Sequence, residues 1–424
     1  MKVGHALRIL PSLEAVFPLR SLLLASAHTA PQDEWGSGGP YLTIGKHDVD
    51  SAELRRQFAV SFRALTAHLS DLYNAFADAI DLIDSGEASA AVERLLDAGR
   101  REERVGRFDQ AQAWYRAALQ VAEPLQDHRP EINALLTLGD LSKRVGLYRQ
   151  AARVYQRALA LAEAAFCPKA AASASAGLGT VAMAAGDWRG AQAWFERALS
   201  LAESEGDAAQ IARIHHAFGE FFRRKGDAAR ATSELGLARD AFETLGEARE
   251  LARVLLTEAL LFADRGALRR AAGTFREALA WLRAGPADPA LEVGIRLQLA
   301  RLRMDEEHLL HAEDELRHSE RLAIDHTLIG HLVEIYAAMG TVRGLQQDDS
   351  GFVFFEQAIQ LLPMIGRSPV LEARLYHDYG AFMKRVGRPA EAHAHFDRAR
   401  ELFDSVGAQS DLHKVEADLV QMPA

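Results

Sequence analysis

The segment Gly186–Leu199, GDWRGAQAWFERAL, is the clearest indication of the fold, because near-copies of it recur along the chain. The segments GRFDQAQAWYRAAL from Gly106 and GLYRQAARVYQRAL from Gly146 align with it without a gap, at a constant step of about 40 residues. Five further copies, two of them degenerate, bring the total to eight and begin at Gly226, Gly266, Glu307, Gln346 and Gly387. Such regular self-similarity is typical of a repeat array.

Each copy predicts two helices joined by a tight turn. In the third copy, Gly186 provides the positive φ that a helix end favours, and Asp187 can cap the helix that follows. The second helix then presents one apolar stripe at helical spacing, made of Ala191, Phe195, Ala198 and Leu199.

Small residues mark the predicted contact between the two helices of a pair. Gly179 on the first helix and Ala191 on the second let the backbones approach closely, and the ring of Phe195 fills the space beside them. The corresponding slots of the second and fifth copies hold Gly139, Ala151 and Tyr155, and Ala259, Ala271 and Phe275. The same packing is therefore expected in every repeat.

This pattern resembles the tetratricopeptide repeat, which has a small residue in its first helix and then Gly, Ala, an aromatic residue and Ala. In the second copy these are Gly139, Gly146, Ala151, Tyr155 and Ala158. The resemblance implies an all-α protein, a right-handed superhelical solenoid of antiparallel helix pairs. The step of about 40 residues exceeds the usual period of about 34. It is similar to that of longer repeats in polarity adaptors and in the sensor ends of bacterial regulators.

The chain is expected to divide into four segments. Residues 1–50 contain four prolines and are expected to form an irregular N-terminal segment, whereas residues 51–87 carry the apolar spacing of one or more capping helices. Residues 88–405 hold the eight repeats, and residues 406–424 form a C-terminal capping helix. The copies at Glu307 and Gln346 lack the turn glycine, so their local geometry is open.

Composition limits the partners and the compartment. The net charge of −10 argues against nucleic acid or an anionic membrane as the partner. No apolar run is long enough to span a bilayer, and the single cysteine, Cys167, permits no internal disulfide. These features favour a cytoplasmic protein.

No motif predicts catalysis, a cofactor or a metal. The stretch from Gly39 to His47 has the wrong glycine spacing for a phosphate-binding loop, and His stands where Ser or Thr is needed. His308 and His311 could share a helix face, but two imidazoles alone make no catalytic site. We therefore expect a protein that is not an enzyme.

Basic residues recur on the face of the first helices that the resemblance places along a concave groove. The predicted partner-binding residues are Arg100, Lys143, Arg213, His216, Arg223, Arg253 and Arg301, and the same spacing also includes Arg343, Arg374, His377 and Lys384. Guanidinium groups favour carboxylate or phosphate partners. Two interpretations stay open: these side chains hold an acidic partner, or they pair with carboxylates of neighbouring helices.

The sequence thus predicts a scaffold or adaptor whose concave groove binds a peptide or segment of another protein. A second hypothesis is the sensor module of a bacterial transcriptional or signalling regulator, with its effector domain elsewhere. A third is an enzyme whose site lies in the N-terminal part of the chain before the repeats, although that segment shows no catalytic motif.

Overall fold

The computed structural model describes residues 74–421, and every regular element in that range is an α-helix. The helices form antiparallel pairs joined by short turns. In chain order they are α1 (residues 74–84), α2 (Ala88–Arg104), α3 (Phe108–Ala122), α4 (Arg129–Arg144), α5 (Tyr148–Ala164), α6 (Pro168–Ala184), α7 (Trp188–Glu205), α8 (Ala208–Lys225), α9 (Ala228–Leu245), α10 (Ala248–Asp264), α11 (Leu268–Ala284), α12 (Pro289–Asp305), α13 (Leu309–Asp325), α14 (Ile329–Leu345), α15 (Gly351–Ile365), α16 (Pro369–Arg385), α17 (Pro389–Val406) and α18 (Gln409–Val420). The predicted all-α solenoid of helix pairs is confirmed.

The contact inside each pair is the one that the small residues predict. A Cβ atom added at Gly179 would lie 2.7 Å from Cε1 of Phe195, and one at Gly139 would lie 2.6 Å from Cε1 of Tyr155. Only glycine therefore leaves room for these rings, which are almost completely buried. Of the predicted stripe, Ala191, Phe195 and Ala198 are buried and Leu199 is partly buried against the same cluster, and Ala202 adds to the buried set on α7.

The turn after each first helix uses one hydrogen-bond pattern. Gly186 has a φ of 76°, and the Asp187 N–H donates to the carbonyl oxygen of Ala182 at 2.9 Å. The Asp187 carboxylate also accepts from the N–H of Gly190 at 2.9 Å, which is the predicted N-cap.

The two degenerate copies keep this turn without its glycine. Glu307 takes a φ of 59° in the glycine position, and in the copy that begins at Gln346 the positive φ, 57°, falls one residue later, on Gln347. The next residue in each copy, His308 or Asp348, donates its N–H to the carbonyl oxygen of Arg303 or Arg343, at 2.8 and 2.9 Å. Packing of the surrounding helices therefore holds two non-glycine residues in a conformation that they seldom adopt.

The array curves because its two helix layers pack differently. The first helices of successive pairs contact one another directly, whereas the second helices chiefly contact the neighbouring first helices. We call α2, α4, α6, α8, α10, α12, α14, α16 and α18 the inner helices, and the second members of the pairs the outer helices. The inner helices form the concave surface.

The curvature brings the first repeats against the last ones. A Cβ added at Gly106 would lie 3.1 Å from the nitrogen of Gly330, and one at Gly146 would overlap Cγ2 of Val370. In both pairs the partners are separated along the chain by more than five repeats. One superhelical turn thus closes onto the next along a line that we call the seam.

Helices flank the array at both ends of the described range. On α1, Ala75 and Phe76 join the apolar cluster of Val92 and Leu95, and on α18 Leu412 and Val415 join the cluster of the last repeat. Residues 1–73 and 422–424, including the predicted irregular segment and most of the predicted N-terminal cap, lie outside the described residues. No helix in the described range is long and apolar enough to cross a membrane.

Candidate partner-binding surface

Hydrogen bonds join neighbouring inner helices across the concave surface, and we call each of them a rung. Each joins residues about one repeat apart, so an inner helix commonly offers its polar side chains to the next one. These rungs include Asn133 to Glu93 at 2.7 Å, Arg223 to Asp264 at 2.5 Å, Arg374 to Asp411 at 3.3 Å and His377 to Asp418 at 2.7 Å. Much of the polar inner surface is therefore internally satisfied.

Three of the predicted binding residues have carboxylate partners in the array. Arg100 donates to Asp97 at 2.7 Å and Lys143 donates to Asp140 at 2.9 Å, each to a residue on its own helix. Arg223 has the strongest set of partners, because it contacts both Glu220 and Asp264 and its side chain is only 14% exposed.

The carboxylates of these pairs are held ionised. Burial opposes ionisation of Asp140, yet the Lys143 ammonium and the Tyr155 hydroxyl, 2.7 Å away, keep the pKa of Asp140 below its usual value. Burial likewise opposes ionisation of Glu220, but Arg223 and Arg224 lower its pKa. These cations therefore stabilise the array's own carboxylates.

His216 serves as a link between helices. Its Nε2 lies 2.8 Å from the hydroxyl of Thr257 on the next inner helix. Burial lowers the pKa of His216, although Glu220 and Glu250 oppose the shift. The ring is therefore neutral at neutral pH and adds no positive charge to the surface.

Arg213, Arg253 and Arg301 differ from the rest. Across residues 74–421, no carboxylate lies at ion-pair distance from any of the three, and the buried Nε of Arg253 makes no hydrogen bond there. Arg213 and Arg253 occupy the same position on consecutive inner helices, α8 and α10, one repeat apart. Arg223 and Arg374 each face an acid on the next inner helix. At the position of Arg213, the next inner helix carries another arginine, Arg253.

Arg301 lies in a different electrostatic setting. Burial raises the pKa of Asp378 on α16, and the positive charge of Arg301 on α12 opposes that rise. Arg374 and His377 also lie close enough to oppose it. The charge of Arg301 therefore acts on a partly buried acid two repeats away.

Two regions of the chain match models of the family described as tetratricopeptide repeat, at residues 87–164 and 174–209. Both regions include the glycine–aromatic contact described above, with Gly139 and Tyr155 in the first and Gly179 and Phe195 in the second. These two regions of the chain are tetratricopeptide repeats. No curated protein matches its sequence.

Solved structures share the fold of this tetratricopeptide array at low sequence identity. A Rap protein complexed with competence and sporulation factor is 13% identical, with a TM-score of 0.54, and the match covers 81% of this chain and 99% of the Rap chain. The Rap conjugation gene regulator of plasmid pLS20, in complex with the Phr* peptide, is 12% identical with a TM-score of 0.53, covering 80% and 97%.

The remaining candidates from the sequence occupy other surfaces of the tetratricopeptide array. Arg343 contacts Glu313 of an outer helix at 2.8 Å, so it lies away from the concave surface. The rings of His308 and His311 lie 5.9 Å apart, and no group of three or more metal-binding side chains occurs within residues 74–421. The stretch from Gly39 to His47 falls outside the described residues.

Sequence reasoning missed the acids that neutralise the inner arginines. Asp264 and Asp411 each lie about one repeat after the arginine that they contact, Arg223 and Arg374. A search for opposite charges at one repeat's separation would have found both pairs. The seam has no such signal, because its two sides lie more than five repeats apart along the chain.

Proposed function

We propose that this tetratricopeptide protein binds an acidic peptide or segment of another protein along its concave surface, with Arg213 and Arg253 as the central anion-binding pair. The observation that carries the proposal is the break in the rungs: two consecutive inner helices carry an arginine at the same position, and neither arginine has a carboxylate at ion-pair distance within residues 74–421. The buried Nε of Arg253 makes no hydrogen bond within these residues, so the array does not hold this guanidinium through that atom.

The other predicted cations surround the Arg213–Arg253 pair but do not supply its free positive charge. Arg100, Lys143 and Arg223 have acceptors of their own, His216 is neutral, and Arg301 balances Asp378. They would shape the surface and give it rigidity, while Arg213 and Arg253 supply the free positive charge. Reversing Arg223 would therefore be a poor test of binding, because it would leave Glu220 and Asp264 without their partner.

The fold neighbours support a peptide ligand. Both Rap structures were solved with a bound factor or peptide, and both match this chain over about four-fifths of its length. The shared fold supports a peptide as the ligand of this chain. The ligand of this chain need not be chemically related to theirs, since the identity is 12% to 13%.

A regulatory role is the second candidate. One of the two neighbours is a conjugation gene regulator, and a sensor module would use the same concave surface to detect a peptide signal. The two proposals differ in the step after binding: a scaffold holds its partner, whereas a sensor passes the signal to an effector.

The test starts from a random peptide library displayed on phage and selected on the full chain. We expect the selected peptides to be rich in Asp and Glu and to bind more weakly as salt rises, because exposed charges are screened over about 10 Å at 0.1 M salt. Labelled copies then give affinities for the variants by fluorescence anisotropy.

The decisive variant is Arg213→Glu with Arg253→Glu. It should weaken binding at least about tenfold, since both charge-assisted contacts become repulsive. The control is Arg189→Glu with Arg276→Glu, which changes the same charge at two exposed positions of outer helices. Equal affinity in the two double variants at low salt would contradict the proposed site.

A further inference from the structure

His216 lies on the concave surface beside the two arginines of the proposed binding pair. It follows Arg213 by three residues on α8, so the two side chains share a face of that helix. On α10, Thr257 follows Arg253 by four residues, and its hydroxyl lies 2.8 Å from the Nε2 of His216. The rung between His216 and Thr257 is therefore about one helical turn from each arginine.

The Thr257 hydroxyl determines which nitrogen of the His216 ring carries a proton. The hydroxyl has one proton to donate, and the carbonyl oxygen of Arg253 lies 3.3 Å away as an acceptor. When the hydroxyl donates there, its oxygen can also accept from Nε2–H, so two hydrogen bonds form. The reverse arrangement, in which the hydroxyl donates to Nε2, gives only one. The neutral ring therefore carries its proton on Nε2, and its Nδ1 makes no hydrogen bond within residues 74–421.

Burial and three charged groups set the protonation of His216. Burial has the largest effect and lowers the pKa of His216 below its usual value. Glu220 on the same helix opposes this shift, but its carboxylate already contacts Arg223 at 2.8 Å. Glu250 on α10 also opposes the shift, whereas Arg253 adds to it. The ring is neutral at neutral pH because the effect of burial prevails.

Among the described residues, the other helices that pack against α8 bring no further charge to the His216 ring. On α6 the only charged residue is Lys169, in the first turn, and its ammonium contacts Asp207 at 2.7 Å. On α9, the Glu234 carboxylate contacts the neighbouring His215 at 2.7 Å. A negative charge that approaches along the concave surface is therefore the change to which the ring can respond.

We propose that His216 takes up a proton from solvent when an acidic segment binds at Arg213 and Arg253, and that its Nδ1–H then donates to the bound carboxylate beside the two guanidinium groups. The inference rests on the proposed function for its ligand. An opposite charge within about 4–6 Å favours the charged form of a titratable group. Nδ1 is the nitrogen available to the ligand, because Nε2–H stays bonded to Thr257.

Proton uptake makes binding depend on pH in one direction. The ligand carboxylate raises the pKa of His216 in the complex above its pKa in the free protein. Between these two pKa values the complex holds more protons than the free protein, so affinity rises as pH falls, by at most about tenfold per pH unit. Above this range the ring is neutral in both states, and below it the ring is protonated in both. The same partner is therefore held more tightly after acidification.

The first experiment counts the protons taken up on binding. A peptide from the phage selection is titrated into the full chain by calorimetry at about pH 6.5, in two buffers that differ in ionisation enthalpy. The difference in heat should correspond to uptake of a substantial fraction of a proton, and affinity should be at least about threefold higher at about pH 6 than at about pH 8.

Two glutamine variants identify the group that takes up the proton. His216→Gln should abolish the uptake and flatten the pH profile, because the glutamine amide can donate to Thr257 but cannot be protonated. The matched control is His215→Gln, which removes the adjacent imidazole and its contact with Glu234. It should leave both the uptake and the pH profile unchanged. Proton uptake that persists in His216→Gln would overturn the inference.

The second experiment observes the ring nitrogens directly, by NMR of the chain labelled with ¹⁵N at histidine. The His216 signals, identified by their loss in His216→Gln, should show a proton on Nε2 alone in the free protein at about pH 7.5 and on both nitrogens in the peptide complex at about pH 6.5. A free ring protonated on Nδ1, or a complex without proton uptake whose affinity depends on Arg213 and Arg253, would overturn the inference and leave the proposed function standing. A peptide whose affinity does not depend on the two arginines would remove both.

Discussion

The turns at Gly146 and Gly226 have the same backbone conformation but differ in what surrounds them. Their φ values are 85° and 82°, and each ends an inner helix. Gly146 is buried because Val370 of the next superhelical turn covers it, whereas Gly226 is exposed and a Cβ there would have nothing within 4 Å. A repeat by itself therefore needs only the positive φ, whereas closure of the array also needs a position without a side chain.

The largest effect should come from the contact that both regions share. Ala191→Trp places an indole where α6 and α7 cross, at a side chain that is fully buried, and overpacking there should cost about 3 kcal/mol or more of unfolding free energy. The control is Arg189→Trp, at an exposed position of the same helix. Urea unfolding at the same midpoint in both variants would show that the crossing tolerates the ring.

A smaller effect should distinguish the two regions. Gly146→Ala should cost about 2 kcal/mol, because the positive φ strains alanine by about 1 kcal/mol and the overlap with Val370 adds a similar amount. Gly226→Ala should cost only the strain, about 1 kcal/mol. Both losses of unfolding free energy are measured by urea unfolding. Equal losses would show that the contact with Val370 rearranges without a loss of stability.

The smallest effect concerns the opposite edge of the first superhelical turn. Phe166 has a φ of 51° and is 92% exposed, in the turn slot that Gly206 and Gly246 occupy elsewhere. Phe166→Asn should stabilise the chain by about 0.5 kcal/mol, since asparagine adopts this conformation more readily and little apolar burial is lost. A loss of stability would indicate that the ring makes contacts beyond residues 74–421.

The sequence predicted the parts of the fold that repeat. Gly179 and Phe195 identify the helix crossing, and Gly186 with Asp187 identifies the turn, because each depends on neighbours within one copy. Closure could not be predicted in this way. It results from small rotations summed over more than five repeats, and Gly146 carries no local sign that Val370 will cover it.

The face that carries the proposed binding residues was predictable in position and less so in charge. The helical spacing placed Arg213 and Arg223 on the inner helices. It could not show that Arg223 faces Asp264 while Arg213 has no carboxylate at ion-pair distance in the described chain. That distinction depends on which residue the next repeat presents, so a single repeat considered alone does not contain it.

The seam also constrains how the gene can change. Repeat arrays ordinarily gain and lose copies by duplication and deletion, because each unit contacts only its neighbours. Here Gly106 meets Gly330, so removal of one whole repeat between them would bring Val370 opposite Phe108 in place of Gly330. Loss or gain of a repeat would therefore change which residues meet at the seam, in addition to the length of the array.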